Sequence, residues 1–356
     1  MTPAFATIIA ASAAERRDLF VATAGRLGTS EQNIEKDFWV CWVLDALFNG
    51  LEPGGPRLLF KGGTSLSKGF GLISRFSEDI DITVFREDIG QPATVAELEA
   101  LSGKKRAARL DAIREACQAY ILGPLRDRLA ALIAETLTAA GIAADQAKIE
   151  ADPQDPDGQS LLFRYPSATD EGAAYIRRAV KIESGAKSAL DPHAPIAVKP
   201  YVADDLPDLD LTVSGVTTVD PARTFWDKVV ILHGLRAWWE RRRELRGGGQ
   251  RVSRHYYDIH CLLHSEIGKR ALADRAMAVD CARHARMFFN RPDLDLAHAA
   301  PGTFVLTPAG DMGGDLARDY AAMAGMIFGK VPSFDAVISS VAEVEERANA
   351  GMAGPT

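Results

Sequence analysis

Two aspartates, Asp79 and Asp81, have the spacing that metal-dependent chemistry requires. They alternate with Ile80 and Ile82, which is the two-residue period of a β-strand, so both carboxylates are expected on one face of that strand. Like charges held this close repel each other unless a cation lies between them. Carboxylate oxygens are the ligands that Mg²⁺ prefers in proteins. The alternation therefore predicts a site for Mg²⁺, with Mn²⁺ as a second candidate.

A glycine pair precedes the aspartates. The short apolar run 58–60 is typical of a buried strand, and it ends at Gly62 and Gly63, where the backbone can turn sharply and approach a ligand closely. Thr64 or Ser65 is then expected to cap a following helix, whose free N–H groups favour phosphate. A phosphate cradle next to a metal site fits a nucleoside triphosphate (NTP) with Mg²⁺, whose α-phosphate would be attacked by a hydroxyl group.

The combined pattern resembles the polymerase-β-like nucleotidyltransferases, in which a glycine turn and a helix precede Asp-x-Asp on a strand. The longer motif consists of KGGTSLSK at 61–68, followed by RFSEDIDI at 75–82. This motif is similar to that of the AbiEii/AbiGii toxin branch, which includes the mycobacterial MenT toxins. We therefore predict that Asp79 and Asp81 are catalytic and bind the metal. The predicted nucleotide-binding residues are Gly62, Gly63, Thr64, Ser65 and Lys68.

The resemblance implies three further site residues. In many polymerase-β-like enzymes a neighbouring strand supplies a third metal carboxylate. Glu183 is the best-placed candidate here, and a surface position or a pair with Lys181 is the alternative. Later motifs of the AbiEii branch contain a helix lysine and an aspartate, which correspond to Lys228 and Asp258. Lys228 would neutralise triphosphate charge, unless it only covers an apolar helix face. Asp258 would orient a cation or assist the acceptor hydroxyl.

Composition limits the class of protein. The length of 356 residues predicts two or three domains, or one catalytic domain with a helical extension. The 47% of hydrophobic residues suffices for real cores. A net charge of −7 argues against a protein coated in nucleic acid, but not against a local basic groove. Four widely spaced cysteines predict reduced thiols rather than disulfides or a zinc site. No run approaches the roughly 20 apolar residues of a membrane span. We therefore expect a soluble, cytoplasmic protein with no membrane partner.

Periodicity predicts the elements that position these residues. We expect an α/β fold, with a polymerase-β-like nucleotidyltransferase core of a short mixed sheet and flanking helices, plus a mainly helical C-terminal domain. The core would span 1–217 and include a helical insertion at 93–140. The C-terminal domain, 218–350, would complete the active site. Further strands are predicted at 143–149, 161–165, 179–183, 201–206 and 211–216, with a loop at 185–200.

Two charged segments have two interpretations each. Lys36 and Asp37 stand at the start of an apolar helix, either as a solvated pair or as the Lys-Asp pair common in the resembled family. The segment 236–254 holds seven arginines and two glutamates beside Trp238 and Trp239. Arginine with adjacent aromatic rings suits a single-stranded RNA end, whereas i,i+4 pairs on a solvated helix are the alternative.

These features predict a Mg²⁺-dependent nucleotidyltransferase that moves a nucleoside monophosphate from an NTP to an acceptor hydroxyl and releases pyrophosphate. The resemblance implies a toxin of a toxin–antitoxin or phage-defence (abortive infection) module. It also implies an antitoxin encoded by a neighbouring gene and an RNA acceptor such as a tRNA 3′ end. The alternatives are nucleotidylation of a protein or small-molecule hydroxyl, and a non-catalytic NTP-binding module. The presence of both glycines and both aspartates disfavours the latter.

Overall fold

The structure is a computed structural model, and it describes residues 1–169, 178–249 and 251–350. This part of the chain divides into two compact units. The first comprises Met1–Gly71, Phe76–Ala93 and Gly103–Val219, and the second comprises Leu72–Arg75, Thr94–Ser102 and the described residues from Asp220 onwards. The sequence-based division assigned 72–75 and 94–102 to the first domain, whereas their contacts place them in the second unit.

Seven strands of the described residues form one mixed sheet in the first unit, in the order β3-β4-β5-β2-β1-β7-β6. Strand β2 lies in the middle of this sheet, antiparallel to β1 and parallel to β5. The predicted α/β class with a short mixed sheet is therefore confirmed. The strands are β1 Leu58–Lys61, β2 Asp79–Val84, β3 Lys148–Ala151, β4 Ser160–Arg164, β5 Val180–Glu183, β6 His193–Val198 and β7 Val213–Val219.

Helix α3 is fixed to the sheet by aromatic packing. Its N-cap residue Ser30 accepts a hydrogen bond from the Asn33 N–H at 3.3 Å, and the helix is buried over most of its length. Trp39 stacks on Tyr165 with ring centroids 5.7 Å apart. The helices of this unit are α1 Ala4–Ala10, α2 Ala13–Leu27, α3 Glu31–Asn49, α4 Gly62–Thr64 with a π-helical turn Ser65–Gly69, α6 Gly103–Tyr120 and α7 Arg126–Ala139.

Three sequence-based assignments in this unit are wrong. Most of the predicted strand 143–149 is not a strand, because Ala144–Gln146 is a 3₁₀ helix and β3 begins at Lys148. The predicted strand 201–206 is a 3₁₀ helix, Tyr201–Asp205, and the predicted loop 185–200 contains β6. Strand β6 is an edge strand, exposed over most of its length, and it contains Pro195. An edge strand that buries neither face lacks apolar alternation, and proline is tolerated there, so the period-two signal was missing.

The second unit is mainly helical. Asp220 caps α8 by accepting a hydrogen bond from the Ala222 N–H at 2.7 Å. Trp226 on α8 donates to the Ala271 carbonyl at 2.8 Å and stacks on Phe304, so it ties the helices together. None of the helices in the described part of the chain combines the length and apolarity needed to span a membrane. The helices of this unit are α5 Val95–Glu99, α8 Pro221–Arg242, α9 Ser253–Leu263, α10 Glu266–Ala273, α11 Arg275–Phe288, α12 Met312–Met323 and α13 Phe334–Asn349.

Candidate active site

The glycine turn and the second aspartate are in direct contact. Strands β1 and β2 pair so that Lys61 lies opposite Asp81, and the chain turns immediately afterwards at Gly62, whose φ is +79°. A Cβ atom on Gly62 would lie 2.0 Å from Oδ2 of Asp81. Only glycine therefore fits this position, both for its left-handed backbone and for the space that the carboxylate occupies.

Asp79 and Asp81 lie on the same face of β2, while Ile80 and Ile82 are fully buried on the other, as the alternation predicted. Asp81 is also the register partner of Glu183 on β5. Burial, Glu78 and Glu183 together raise the pKa of Asp79 to about 6. A proton or a cation at this position would relieve the repulsion between the carboxylates.

The carboxylates of Asp79 and Asp81 are suitable ligands for a hard divalent cation, and a third carboxylate ligand is not evident in the part of the chain that the structure describes. Among the described residues, no group of three histidine, cysteine or acidic side chains is arranged to hold a metal. The carboxylate of Glu183 is paired with Nζ of Lys181 at 2.7 Å, and Lys181 also reaches Asp152 at 3.3 Å. The alternative interpretation, a pair of Glu183 with a lysine, is thus present as the pair with Lys181, and the role of Glu183 as a metal ligand stays a prediction.

The hydroxyl groups of Thr64 and Ser65 are used inside the protein. Both residues are fully buried. Thr64 donates to the backbone carbonyl of Asp79 and lies 2.8 Å from Oγ of Ser77, and Ser65 donates to the Gly62 carbonyl at 2.9 Å. The helical turn begins at Gly62 with Lys61 in the cap position, so the expectation that Thr64 or Ser65 caps a helix is wrong. Thr64 instead connects the glycine turn to the start of β2.

Lys68 does not extend freely from the turn. Its Nζ lies 2.5 Å from Oδ1 of Asp37 and 3.3 Å from the centre of the Tyr201 ring, and its side chain is 4% exposed. The neighbouring Lys36 donates to Glu78 at 2.6 Å, and both of these side chains are buried. Lys36 and Asp37 are therefore not a solvated pair. Their partners, Glu78 and Lys68, could not be identified from the sequence.

The second unit contains a buried cluster around Asp258. Arg75 donates to both carboxylate oxygens at 2.7 and 2.9 Å, and Nζ of Lys228 lies 2.7 Å from Oδ2. Burial alone would raise the pKa of Asp258, but Arg75 and Lys228 hold it well below its usual value. Burial lowers the pKa of Lys228. The structure thus brings Lys228 and Asp258 together, and it adds Arg75, which was part of the quoted motif without an assigned role.

A comparison with protein-family models identifies the chain. The model of the nucleotidyl transferase AbiEii toxin, type IV toxin–antitoxin system, matches residues 45–340. The chain belongs to the AbiEii family. It is accordingly a nucleotidyltransferase toxin of a type IV toxin–antitoxin system, with an NTP as its substrate and an antitoxin as its partner. Nucleotidyltransferases in general use a divalent metal with the NTP.

One solved structure to which this AbiEii-family chain is similar is MenT4, a nucleotidyltransferase toxin from Mycobacterium tuberculosis H37Rv. The two chains are 18% identical, the match covers 93% of this chain and 97% of MenT4, and the TM-score is 0.39. A search of curated proteins found no match.

Several arginines of the segment 236–254 have protein partners in this AbiEii-family chain. Arg236 donates to the Thr307 carbonyl at 3.0 Å, Arg241 donates to the Pro292 carbonyl, and Arg242 pairs with Asp293 at 2.5 Å. Trp238 lies near the guanidinium groups of Arg242 and Arg246. These contacts account for part of the charge that was considered for RNA binding.

Proposed function

We propose that this AbiEii-family chain is a Mg²⁺-dependent enzyme that transfers a nucleoside monophosphate from an NTP to a hydroxyl of RNA, with a tRNA 3′ end as the first candidate. The observation that carries the proposal is the contact between Gly62 and Asp81, where a Cβ would come within 2.0 Å of the carboxylate. Such a close approach of a glycine turn to a carboxylate suits a triphosphate and its metal bound side by side.

Asp79 and Asp81 would hold the metal, which when bound stabilises the charge on the reacting phosphate. The raised pKa of Asp79 supports this assignment, because burial and nearby carboxylates make a cation favourable there. The backbone of Gly62, Gly63 and the following turn, which includes Thr64 and Ser65, would bind the β- and γ-phosphates. Backbone N–H groups are the donors we propose, since the two hydroxyls already have partners.

Lys228 would neutralise triphosphate charge, as the resemblance implies. In its cluster, Arg75 and Lys228 both contact the carboxylate of Asp258. Cationic side chains favour an anionic ligand over a neutral one. Asp258 would hold both cations in place through charge-assisted hydrogen bonds.

The biological setting is part of the same proposal. We place the enzyme in the cytoplasm, where NTP and RNA are both present, and in phage defence by abortive infection. The antitoxin would be the product of a neighbouring gene.

A protein hydroxyl is the second candidate acceptor. One observation favours it: Arg236, Arg241 and Arg242 are engaged in contacts within the protein, which reduces the cationic surface left for RNA. A compact acceptor such as a Ser or Tyr hydroxyl requires no extended basic surface.

The test is incubation of the purified protein with Mg²⁺, total RNA and each α-labelled NTP in turn, beside the variant Asp81→Asn. Asparagine keeps the size of the side chain and removes its charge. Label in a tRNA-sized band that disappears in the variant supports the proposal and identifies the donor. Label on protein supports the second candidate. Absence of label with every NTP, while nucleotide still binds, contradicts transfer to RNA.

A further inference from the structure

Three consecutive charged residues are buried in one turn of α3. Glu35, Lys36 and Asp37 are 1%, 2% and 3% exposed. Consecutive helix residues point about 100° apart, so the three side chains reach different parts of the unit. Buried charges are costly unless each is paired and hydrogen-bonded. The identities of their partners therefore show what this helix turn holds in place.

Lys36 holds the residue that precedes the first catalytic aspartate. Its Nζ lies 2.6 Å from Oε2 of Glu78, and both side chains are buried. Because Glu78 and Asp79 share a peptide bond, this ion pair fixes the point at which β2 begins.

Asp37 holds the start of the chain segment that ends at Glu78. Its Oδ1 pairs with Lys68 at 2.5 Å, and its Oδ2 accepts a hydrogen bond from the Tyr201 N–H at 2.7 Å. Lys68 lies in the π-helical turn Ser65–Gly69, which continues directly from the glycine turn. The ammonium group also packs on the Tyr201 ring at 3.3 Å from its centre.

We propose that Lys36 and Asp37 are positioning residues: through Glu78 and Lys68 they set the glycine turn and the first catalytic aspartate at a fixed separation on one turn of α3. The two ion pairs anchor residues that follow the glycine turn and precede β2, so the whole segment between them is held at both ends. This inference rests on the proposed roles of the glycine turn and of Asp79.

A direct role of Lys68 in phosphate binding is the rival explanation, and Asp37→Asn separates the two. If Lys68 binds phosphate directly, removing the charge of Asp37 releases the ammonium group, and nucleotide affinity stays the same or increases. If Asp37 positions the turn through Lys68, the same variant weakens nucleotide binding. The two explanations therefore predict different changes in nucleotide affinity for Asp37→Asn: no loss if Lys68 binds phosphate directly, and a loss if Asp37 positions the turn.

The experiment compares Lys36→Met and Asp37→Asn with Glu35→Gln as the matched control. Glu35 lies in the same helix turn and is equally buried, but it accepts hydrogen bonds from Ser167, Ala168 and Thr169, which flank neither end of the 62–79 segment. Nucleotide affinity is measured with an α,β-methylene NTP at saturating Mg²⁺, and metal affinity by Mn²⁺ binding in EPR. Neither measurement needs turnover. All of these affinity measurements are made well below the melting temperature of each variant.

We expect Asp37→Asn to weaken binding of the NTP analogue at least tenfold, and Lys36→Met to weaken Mn²⁺ binding at least tenfold, while Glu35→Gln changes neither. If Lys36→Met does not fold, Lys36→Arg keeps the charge and displaces Glu78, and a smaller shift in the same direction is expected. Unchanged affinities in the Lys36 and Asp37 variants would overturn the inference, as would equal losses in all three. Label transfer by Asp81→Asn would instead refute the proposed function, so the two failures are distinguishable.

Discussion

Replacing Gly62 by alanine tests the geometry of the site most directly. The added Cβ would lie 2.0 Å from Oδ2 of Asp81, whereas ordinary contact begins at 3.4 Å. The carboxylate or the turn must therefore retreat by about 1.4 Å to reach ordinary contact, the difference between these two distances. Alanine must also adopt φ near +79°, which costs about 1–2 kcal/mol for a residue with a Cβ.

Gly90→Ala is the matched control for the backbone cost. Gly90 belongs to the same unit and has φ +71°, but a Cβ there would meet no atom within 4 Å. The left-handed backbone is expected to cost each variant about 1–2 kcal/mol of unfolding free energy in urea titrations, and Gly62→Ala should lose more because its Cβ meets Asp81. Only Gly62→Ala should lose kcat/KM, by about 100-fold or more, because misplacing a catalytic group by 1 Å typically costs about that factor.

The assay is label transfer from the α-labelled NTP, measured for both variants at equal folded fraction. A value of kcat/KM for Gly62→Ala similar to that for Gly90→Ala would show that the position of Asp81 does not limit the reaction. A second comparison uses Asp81→Asn as the background. If Gly62→Ala acts through Asp81, it should cause little further loss of NTP-analogue affinity there, a quantity that can be measured without label transfer, since effects on one interacting pair are not additive.

Three more predictions follow from the described contacts. Asp258→Asn should lower the free energy of unfolding by about 3–5 kcal/mol near neutral pH, because it removes the carboxylate that Arg75 and Lys228 both contact. Since these cations hold the pKa of Asp258 below its unfolded value, the stabilisation is present above about pH 4 and is lost as the pH falls further. The difference in unfolding free energy from wild type should therefore narrow in urea titrations at acidic pH, and a constant difference would contradict the pairing. Thr64→Val should lower the free energy of unfolding by about 1–2 kcal/mol, because it removes the hydroxyl that donates to the Asp79 carbonyl. Thr64→Ser keeps that hydroxyl and should retain most of the stability in the same titrations. Equal losses in the two variants would show that the methyl group of Thr64 matters instead. Removal of divalent metal with EDTA should abolish label transfer. Added Mg²⁺ should raise the melting temperature of wild type but not of Asp79→Asn. An equal rise in both proteins would show that the metal binds elsewhere.

The local part of the site could be predicted from the sequence because each of its signals is short-range. Alternation placed Asp79 and Asp81 on one face of a strand, and the glycine pair placed the turn before it. The partners of Lys36 and Asp37 could not be predicted, because Lys36 pairs with a residue 42 positions away. A charge at the start of an apolar helix has the same local pattern whether it is solvated or buried against a distant partner.

The assignment of Thr64 and Ser65 as helix caps failed for a related reason. Capping propensity describes which residue types satisfy free N–H groups at a helix start, but the turn here begins at Gly62. The hydroxyl of Thr64 satisfies the Asp79 carbonyl instead. A short polar side chain has several backbone partners within reach, and tertiary structure decides among them.

The pairing of Glu183 with Lys181 is compatible with a later role for Glu183 at the metal. Its side chain is 40% exposed, and ion pairs at such positions contribute about 1 kcal/mol or less. Lys181 also contacts Asp152, so it keeps a carboxylate partner when Glu183 leaves. Glu183 faces Asp81 across the parallel pair of β5 and β2, where a divalent cation offers a stronger counter-charge than an exposed ammonium group. The register of β5 and β2 thus puts Glu183 on the same face as Asp81, and a role for Glu183 as a third metal ligand stays a prediction that the weak pair with Lys181 does not oppose.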